Sequence, residues 1–199
     1  MNKKSMESTD IVFLLDRSGS MSGAESDTIG GYNSYLDRMK KQNVFITTVL
    51  FDDKYDVITE RKKISKVNKL DNKTYYTRGS TALMDAIGKT INYMDTKDTK
   101  KVLFIITTDG MENSSKEYNK SQVKELILGH NNWEFVYIGA NIDSYSEAST
   151  IGIKSNRVSN YTKSKKGIDM LFSNLASVSE KYCDEAIIND DWKDGMESI

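Results

Sequence analysis

The chain has 199 residues, the size of one ordinary domain with enough material for a full core. Its 28 Lys and Arg nearly balance 29 Asp and Glu, and a formal net charge of −1 excludes bulk electrostatic capture of nucleic acid or of an anionic membrane. With 38% hydrophobic and 29% charged residues the chain reads as a globule and not as a disordered tract.

No stretch approaches the roughly 20 apolar residues of a membrane helix, and the two lysines of Met1-Asn-Lys-Lys-Ser have no apolar stretch behind them, so no secretory signal is read. A single cysteine, Cys183, leaves no internal disulfide, and the expected compartment is the reducing cytoplasm of the host or source cell.

In chain order, the first element is a short apolar run, Ile11–Leu15, that ends abruptly in Asp16-Arg17-Ser18-Gly19-Ser20-Met21. Further runs at Val44–Phe51, Val102–Thr107 and Glu134–Ile138 are short, rich in β-branched and aromatic residues, and not alternating. Such runs suit strands buried on both faces of a parallel sheet. Between them, helical spacing links Ile29, Tyr32, Leu36 and Met39, then Leu83, Ile87, Ile91 and Met94. Val123, Leu126 and Ile127 mark a third helix, and Ile168, Leu171, Phe172, Leu175 and Val178 the last.

One hairpin interrupts the alternation. Val44–Phe51 and Tyr55–Glu60 are joined by Asp52-Asp53-Lys54, too short for a helical crossover, so the second strand is expected to run antiparallel. Asn141–Gly152 is expected to hold a short helix, and a last strand is expected near Arg157–Ser159. The fold class predicted is α/β: a doubly wound, Rossmann-like, mostly parallel central sheet with one antiparallel edge strand and helices on both faces. The division expected is an N-terminal segment 1–9, a domain 10–180 and an acidic tail 181–199. The tail reads as a frayed terminus, with anchoring by Trp192 as the alternative.

The chemistry concentrates at the ends of two strands. Asp16 offers one charge, and Ser18 and Ser20 offer neutral oxygens on a loop that Gly19 lets fold tightly. Alone, such a loop also reads as a helix cap. Downstream, Thr81 heads a helix in Gly79-Ser80-Thr81-Ala82, and Thr107-Thr108-Asp109-Gly110 ends a second apolar run in a carboxylate. Residues just past the carboxyl ends of different strands converge on one crevice in an open α/β sheet.

Asp16, Ser18, Ser20, Thr81 and Asp109 stand where the von Willebrand factor type A domain carries its metal-ion-dependent adhesion site, written D-x-S-x-S, then T, then D. From Asp10 to about Val178 the chain resembles that family. Val49-Leu-Phe-Asp-Asp53, Tyr75–Ile87, Phe104–Asn113 and Phe135–Asp143 resemble, more narrowly, stand-alone cytosolic members from bacteria and their phages. The resemblance implies a metal-dependent, adhesion- or scaffold-type module. It implies that those five residues hold Mg²⁺, or Mn²⁺ or Ca²⁺ in its place, and that the cation coordinates an acidic side chain of an unidentified protein partner. A monomer is expected.

The same sheet end supplies a rim: Arg17, Met21, Asp52, Asp53, Arg78, Met111, Glu112, Asn113 and Asn141. Arg17 and Arg78 read either as clamps for an acidic partner or as solvated loop arginines. Asp85 reads as an acceptor for loop amides, and Glu25 and Asp27 as acids favoured by a helix dipole. Gly30-Gly31 inside a helix costs about 1 kcal/mol per glycine, which points to a close approach of that helix or to a later start. His130 reads as a surface residue without a zinc partner, and Tyr75 and Tyr76 as half-buried packing or rim anchors.

Two other functions are weighed. A magnesium phosphohydrolase of the haloacid dehalogenase kind also starts from a carboxylate at the end of a first strand. It wants a second Asp two residues on, where this chain has Ser18, and a lysine in the downstream loops, which the sequence does not reveal. A structural or assembly component, whose metal only braces three loops, is the other.

Overall fold

The computed structural model describes residues 8–140 and 142–196. Six strands form one sheet: β1 Thr9–Asp16, β2 Val44–Phe51, β3 Tyr55–Lys63, β4 Val102–Thr108, β5 Trp133–Gly139 and β6 Val158–Asn160, in the order β3-β2-β1-β4-β5-β6. All neighbours pair in parallel except β2 with β3, the hairpin that Asp52-Asp53-Lys54 requires. Among the described residues four α-helices connect them, α1 Glu25–Met39, α2 Leu83–Asp95, α3 Lys120–Gly129 and α4 Ser144–Thr150, and α5 Lys165–Glu185 follows β6.

Strand β1 shows why its run lacks polar alternation. Ile11, Phe13 and Leu15 enter one core with Tyr32, Tyr35 and Leu36 of α1 and Leu171, Phe172 and Leu175 of α5. Val12 and Leu14 enter the other with Leu83, Ile87 and Ile91 of α2, Val123 of α3 and Ala148 of α4. A strand covered on both faces gains from apolar residues at every position, as the period of two dictates.

The two glycines of α1 differ. A methyl on Gly31 would lie 2.2 Å from a ring carbon of Phe172, so this position lets α1 and α5 approach closely, whereas Gly30 meets nothing within 4 Å. The tail takes the anchored alternative. Ala186 turns the chain in a left-handed conformation (φ 57°) after α5, and Ile188, Trp192 and Met196 are buried in the α1/α5-side core. Trp192 Nε1 donates to the Asn156 carbonyl at 2.8 Å, and Lys193 Nζ donates to the Val158 carbonyl at 2.9 Å. A frayed terminus was the expectation; the apolar residues spaced through the acidic stretch overturn it.

Both lateral edges are short or irregular. Edge strand β3 carries Glu60, Arg61, Lys62 and Lys63, its pairing slips at Ile46–Val49, and Arg61 adopts φ 36° while its guanidinium pairs with buried Asp10 at 2.8 Å. The opposite edge, β6, has three residues. No helix among the described residues is long and apolar enough to cross a membrane.

Candidate metal centre

From β1 the chain reaches β2 on one side through α1, and β4 on the other after the hairpin and α2, so the crossovers diverge between β1 and β4. That divergence opens a crevice at the strands' carboxyl ends. Asp16 is the last residue of β1, and Asp109 follows β4.

Asp16 is 1% exposed and fixed on every side. Thr108 Oγ1 donates to its Oδ2 at 2.6 Å, and the Ser18 amide donates to Oδ1 at 2.7 Å. The Tyr75 hydroxyl donates to the Asp16 backbone carbonyl at 2.6 Å. Burial pushes the carboxyl up to about 6; the bonds from Thr108 and Ser18 pull it back, and the charge of Asp109 adds to the rise. Two buried acids within electrostatic reach of each other call for positive charge nearby.

The hydroxyl loops are tied together by their backbones. The Gly19 amide donates to the Gly79 carbonyl at 3.0 Å, and the Arg78 amide to the Arg17 carbonyl at 2.9 Å. Ser18 Oγ lies 3.0 Å from Ser20 Oγ, and Ser20 Oγ donates to Asp109 Oδ1 at 2.5 Å. Asn113 Oδ1 accepts from the Thr81 amide at 2.9 Å and so fixes the head of α2.

The three hydroxyls gather around one point. A Cβ built on Gly110 would lie 2.7 Å from Thr81 Oγ1, 3.0 Å from Ser20 Oγ and 3.6 Å from Ser18 Oγ. Gly110 therefore floors a cradle of hard oxygens that any side chain would fill. Asp16, Ser18, Ser20, Thr81 and Asp109 are all brought to this crevice. Their chemistry, oxygen only with at most two charges, fits a hard divalent cation. Among the described residues no group of three or more His, Cys, Asp or Glu could hold a metal, so a cation here would need the hydroxyls as well as the acids.

The rim differs from expectation. Met21 turns into the core, with the Tyr161 hydroxyl 3.8 Å from its sulfur. Arg17 is 3% exposed and pairs with Asp52 at 3.0 Å and with Asp56; Arg78 pairs with the same two acids at 2.6 and 3.1 Å. Buried Asp52 needs both guanidiniums, so Arg17 has no free face for a partner, and Arg78 is half-buried in the same network. Glu112 points inward as the acceptor for the amides of Met84, Ser114 and Ser115. Met111 (62% exposed), Asp53 and Asn113 do face solvent. Asn141 lies outside the described residues.

Asp85 accepts from the amides of Lys116, Glu117 and Tyr118, as expected; burial pushes its carboxyl up, and the three amides outweigh that and leave it below the ordinary value. Glu25 accepts from the Gly23 amide and the Thr77 hydroxyl, joining the start of α1 to the threonine loop. His130 is not a free surface residue: its Nε2 lies 2.7 Å from Asp95 and its ring 4.1 Å from that of Trp133. Tyr75 is buried, and Tyr76 is exposed beneath the guanidiniums of Arg17 and Arg78.

Sequence reasoning missed Thr108, Tyr75 as an orienting donor, and Lys163. Lys163 Nζ pairs with Asp109 Oδ2 at 2.9 Å and also reaches the Ser20 carbonyl. Thr108 had a signal, since it ends its apolar run as Asp16 ends the first, and β1 and β4 pair with Leu15 beside Thr107, one residue before each. Lys163 had none, because a nearly structureless loop between β6 and α5 delivers it.

No family model matches the chain, and no curated protein matches it by sequence. Solved structures do match its shape. The vWF domain of the type V pili tip protein Mfa5 from Porphyromonas gingivalis superposes with a TM-score of 0.71 over 93% of this chain and 99% of that one, at 11% identity. A von Willebrand factor type A protein from Catenulispora acidiphila gives 0.59 over 87% of this chain, at 14% identity. The chain has the von Willebrand factor type A fold. The manganese-loaded TRAP protein of Plasmodium vivax shares the type A fold, with a TM-score of 0.58 over 79% of this chain and 69% of that one, at 18% identity. The chain spans less than half, 42%, of the length of the Catenulispora protein. At these identities the likeness is one of fold.

Proposed function

We propose that the chain is a metal-dependent, adhesion- or scaffold-type protein-binding module in which Asp16, Ser18, Ser20, Thr81 and Asp109 hold a divalent cation, Mg²⁺ or in its place Mn²⁺ or Ca²⁺. The observation that carries this reading is the convergence of three hydroxyls from two loops on one point above Gly110, beside two buried carboxylates. The manganese in the TRAP structure supports a divalent cation in this fold. A cation bound there supplies an electrophilic position for a partner's Asp or Glu. Asp16 is held rigid by Thr108 and Ser18, while exposed Ser20 faces the side from which a partner arrives. Neutral hydroxyls leave the ion's charge only partly compensated, so metal and partner strengthen each other's binding.

The phosphohydrolase reading gains one observation, since Lys163 does stand at the crevice. It pairs with Asp109 and not with Asp16, and Asp16 has both oxygens occupied and is enclosed, which suits a ligand anchor better than a nucleophile. The test is thermal unfolding with Mg²⁺ or Mn²⁺ against EDTA. At a metal concentration about 100 times Kd the gain is about 2.7 kcal/mol, or roughly 5–10 °C for a chain of this size. Asp16→Ala removes it. An unshifted wild type refutes the metal site, and hydrolysis of p-nitrophenyl phosphate that Asp16→Asn abolishes refutes the binding role. A partner captured from the source cell equally well with EDTA would assign the metal to bracing alone.

A further inference from the structure

Lys163 is the residue that the metal reading leaves unused. It directly precedes Ser164, whose hydroxyl caps α5 by accepting from the Gly167 amide at 3.1 Å. Gly167 is pressed against the Thr162 carbonyl, where an added Cβ would come within 2.0 Å, so the loop that carries Lys163 is closely fitted to the helix start. From that mount the ammonium reaches across to Asp109 Oδ2 at 2.9 Å and to the Ser20 carbonyl. Asp109 is buried to 1% at its side chain, whereas Lys163 remains 20% exposed, so the pair sits at the mouth of the oxygen cradle. Its contacts are a carboxylate and a carbonyl, the oxygen types a hard cation takes. Glu25 lies within electrostatic reach of the same ammonium.

We propose that Lys163 is a tethered counter-ion that neutralises Asp109 in the metal-free protein and competes with the divalent cation for the mouth of the cradle. This rests on the metal reading above. One ammonium compensates one of two neighbouring acids; a divalent cation compensates both, and two cations against one carboxylate repel. Metal affinity is therefore set lower than the five oxygens alone would give. The same lysine allows the two buried acids to coexist while no metal is bound. A purely structural lysine would contribute stability with and without metal alike.

The experiment measures the Mg²⁺ and Mn²⁺ midpoints of thermal stabilisation, with isothermal titration of the same metals, for wild type, Lys163→Met and Lys165→Met. Lys165 carries the same charge two residues away but pairs with Asp169 on the exposed face of α5 at 2.7 Å, so its variant reports the general loss of positive charge. Lys163→Met is expected to melt lower in EDTA and to bind metal about fivefold tighter or more, while Lys165→Met changes neither by a comparable amount. Unchanged or weaker metal binding in Lys163→Met, or an equal gain in Lys165→Met, overturns the counter-ion role and leaves the metal site standing. A wild type that responds to neither metal overturns both.

Discussion

Gly110 decides whether the oxygen cradle exists. Gly110→Ala places a methyl 2.7 Å from Thr81 Oγ1 and 3.0 Å from Ser20 Oγ, in the space the cation needs. The variant is expected to keep its far-UV circular dichroism and to lose the metal-dependent rise in melting temperature. Asp16 gives a pH signature in EDTA. Its folded-state value, pushed up to about 6 mainly by burial, means that the neutral acid is preferred, so its contribution is fully present below the ordinary carboxylate range and lost as pH rises through about 6. A shift of that size corresponds to roughly 3 kcal/mol. Asp16→Asn, permanently neutral, is expected to gain on wild type between pH 4 and pH 7 in urea unfolding with EDTA; a constant difference across that range refutes the argument. At this scale the convergence of Asp16, Ser18, Ser20, Thr81 and Asp109 on one crevice was legible because the acids and Thr81 stand at the ends or heads of recognisable elements and the two serines follow Asp16 on its loop. The rim was not: whether Arg17 faces a partner or Asp52 depends on which acids a hairpin folds against it, and no local pattern carries that.

The helix α1 resolves a question that its sequence only raises. Gly31→Ala drives a methyl into the ring of Phe172 at 2.2 Å and is expected to destabilise by about 1–3 kcal/mol through overpacking. Gly30→Ala, in open space on the exposed side, is expected to stabilise by about 0.5–1 kcal/mol by removing glycine's entropy cost. Denaturant midpoints of the two variants check both, and the same sign in both would refute the close approach. The elements themselves were legible, strands from continuous apolar runs and helices from the spacing of Leu83, Ile87 and Ile91, because those patterns record burial directly. The start of α1 at Glu25, which accepts from the Gly23 amide, and the continuation of α5 to the left-handed turn at Ala186 lie beyond the apolar residues that mark them.

Across the whole molecule, Ile188, Trp192 and Met196 beyond α5 are part of the core. Trp192→Ala removes a side chain that is 6% exposed and bonded to Asn156, and is expected to cost about 3 kcal/mol in global unfolding, read as a shift of the urea midpoint. Local loosening of the tail alone would leave that midpoint unmoved and would show that the tail is an appendage. The acidic composition concealed this docking, since Asp190, Asp191 and Asp194 dominate the stretch while three apolar residues do the packing.

The two poor edges of the sheet have a consequence for assembly. A sheet grows laterally when a flat, unpaired edge meets another strand, and here neither side offers one. β3 bears charges and a kink at Arg61, and β6 is too short to template a neighbour. Lateral edge-to-edge pairing is thereby disfavoured on both sides of the described sheet. If many copies were strung along a filament, each joint would have to be made end-on, through the loops at the tips of β1 and β4 or through helix faces. Of these, only joints made through the tips of β1 and β4, where the proposed cation sits, would come apart on removing the metal.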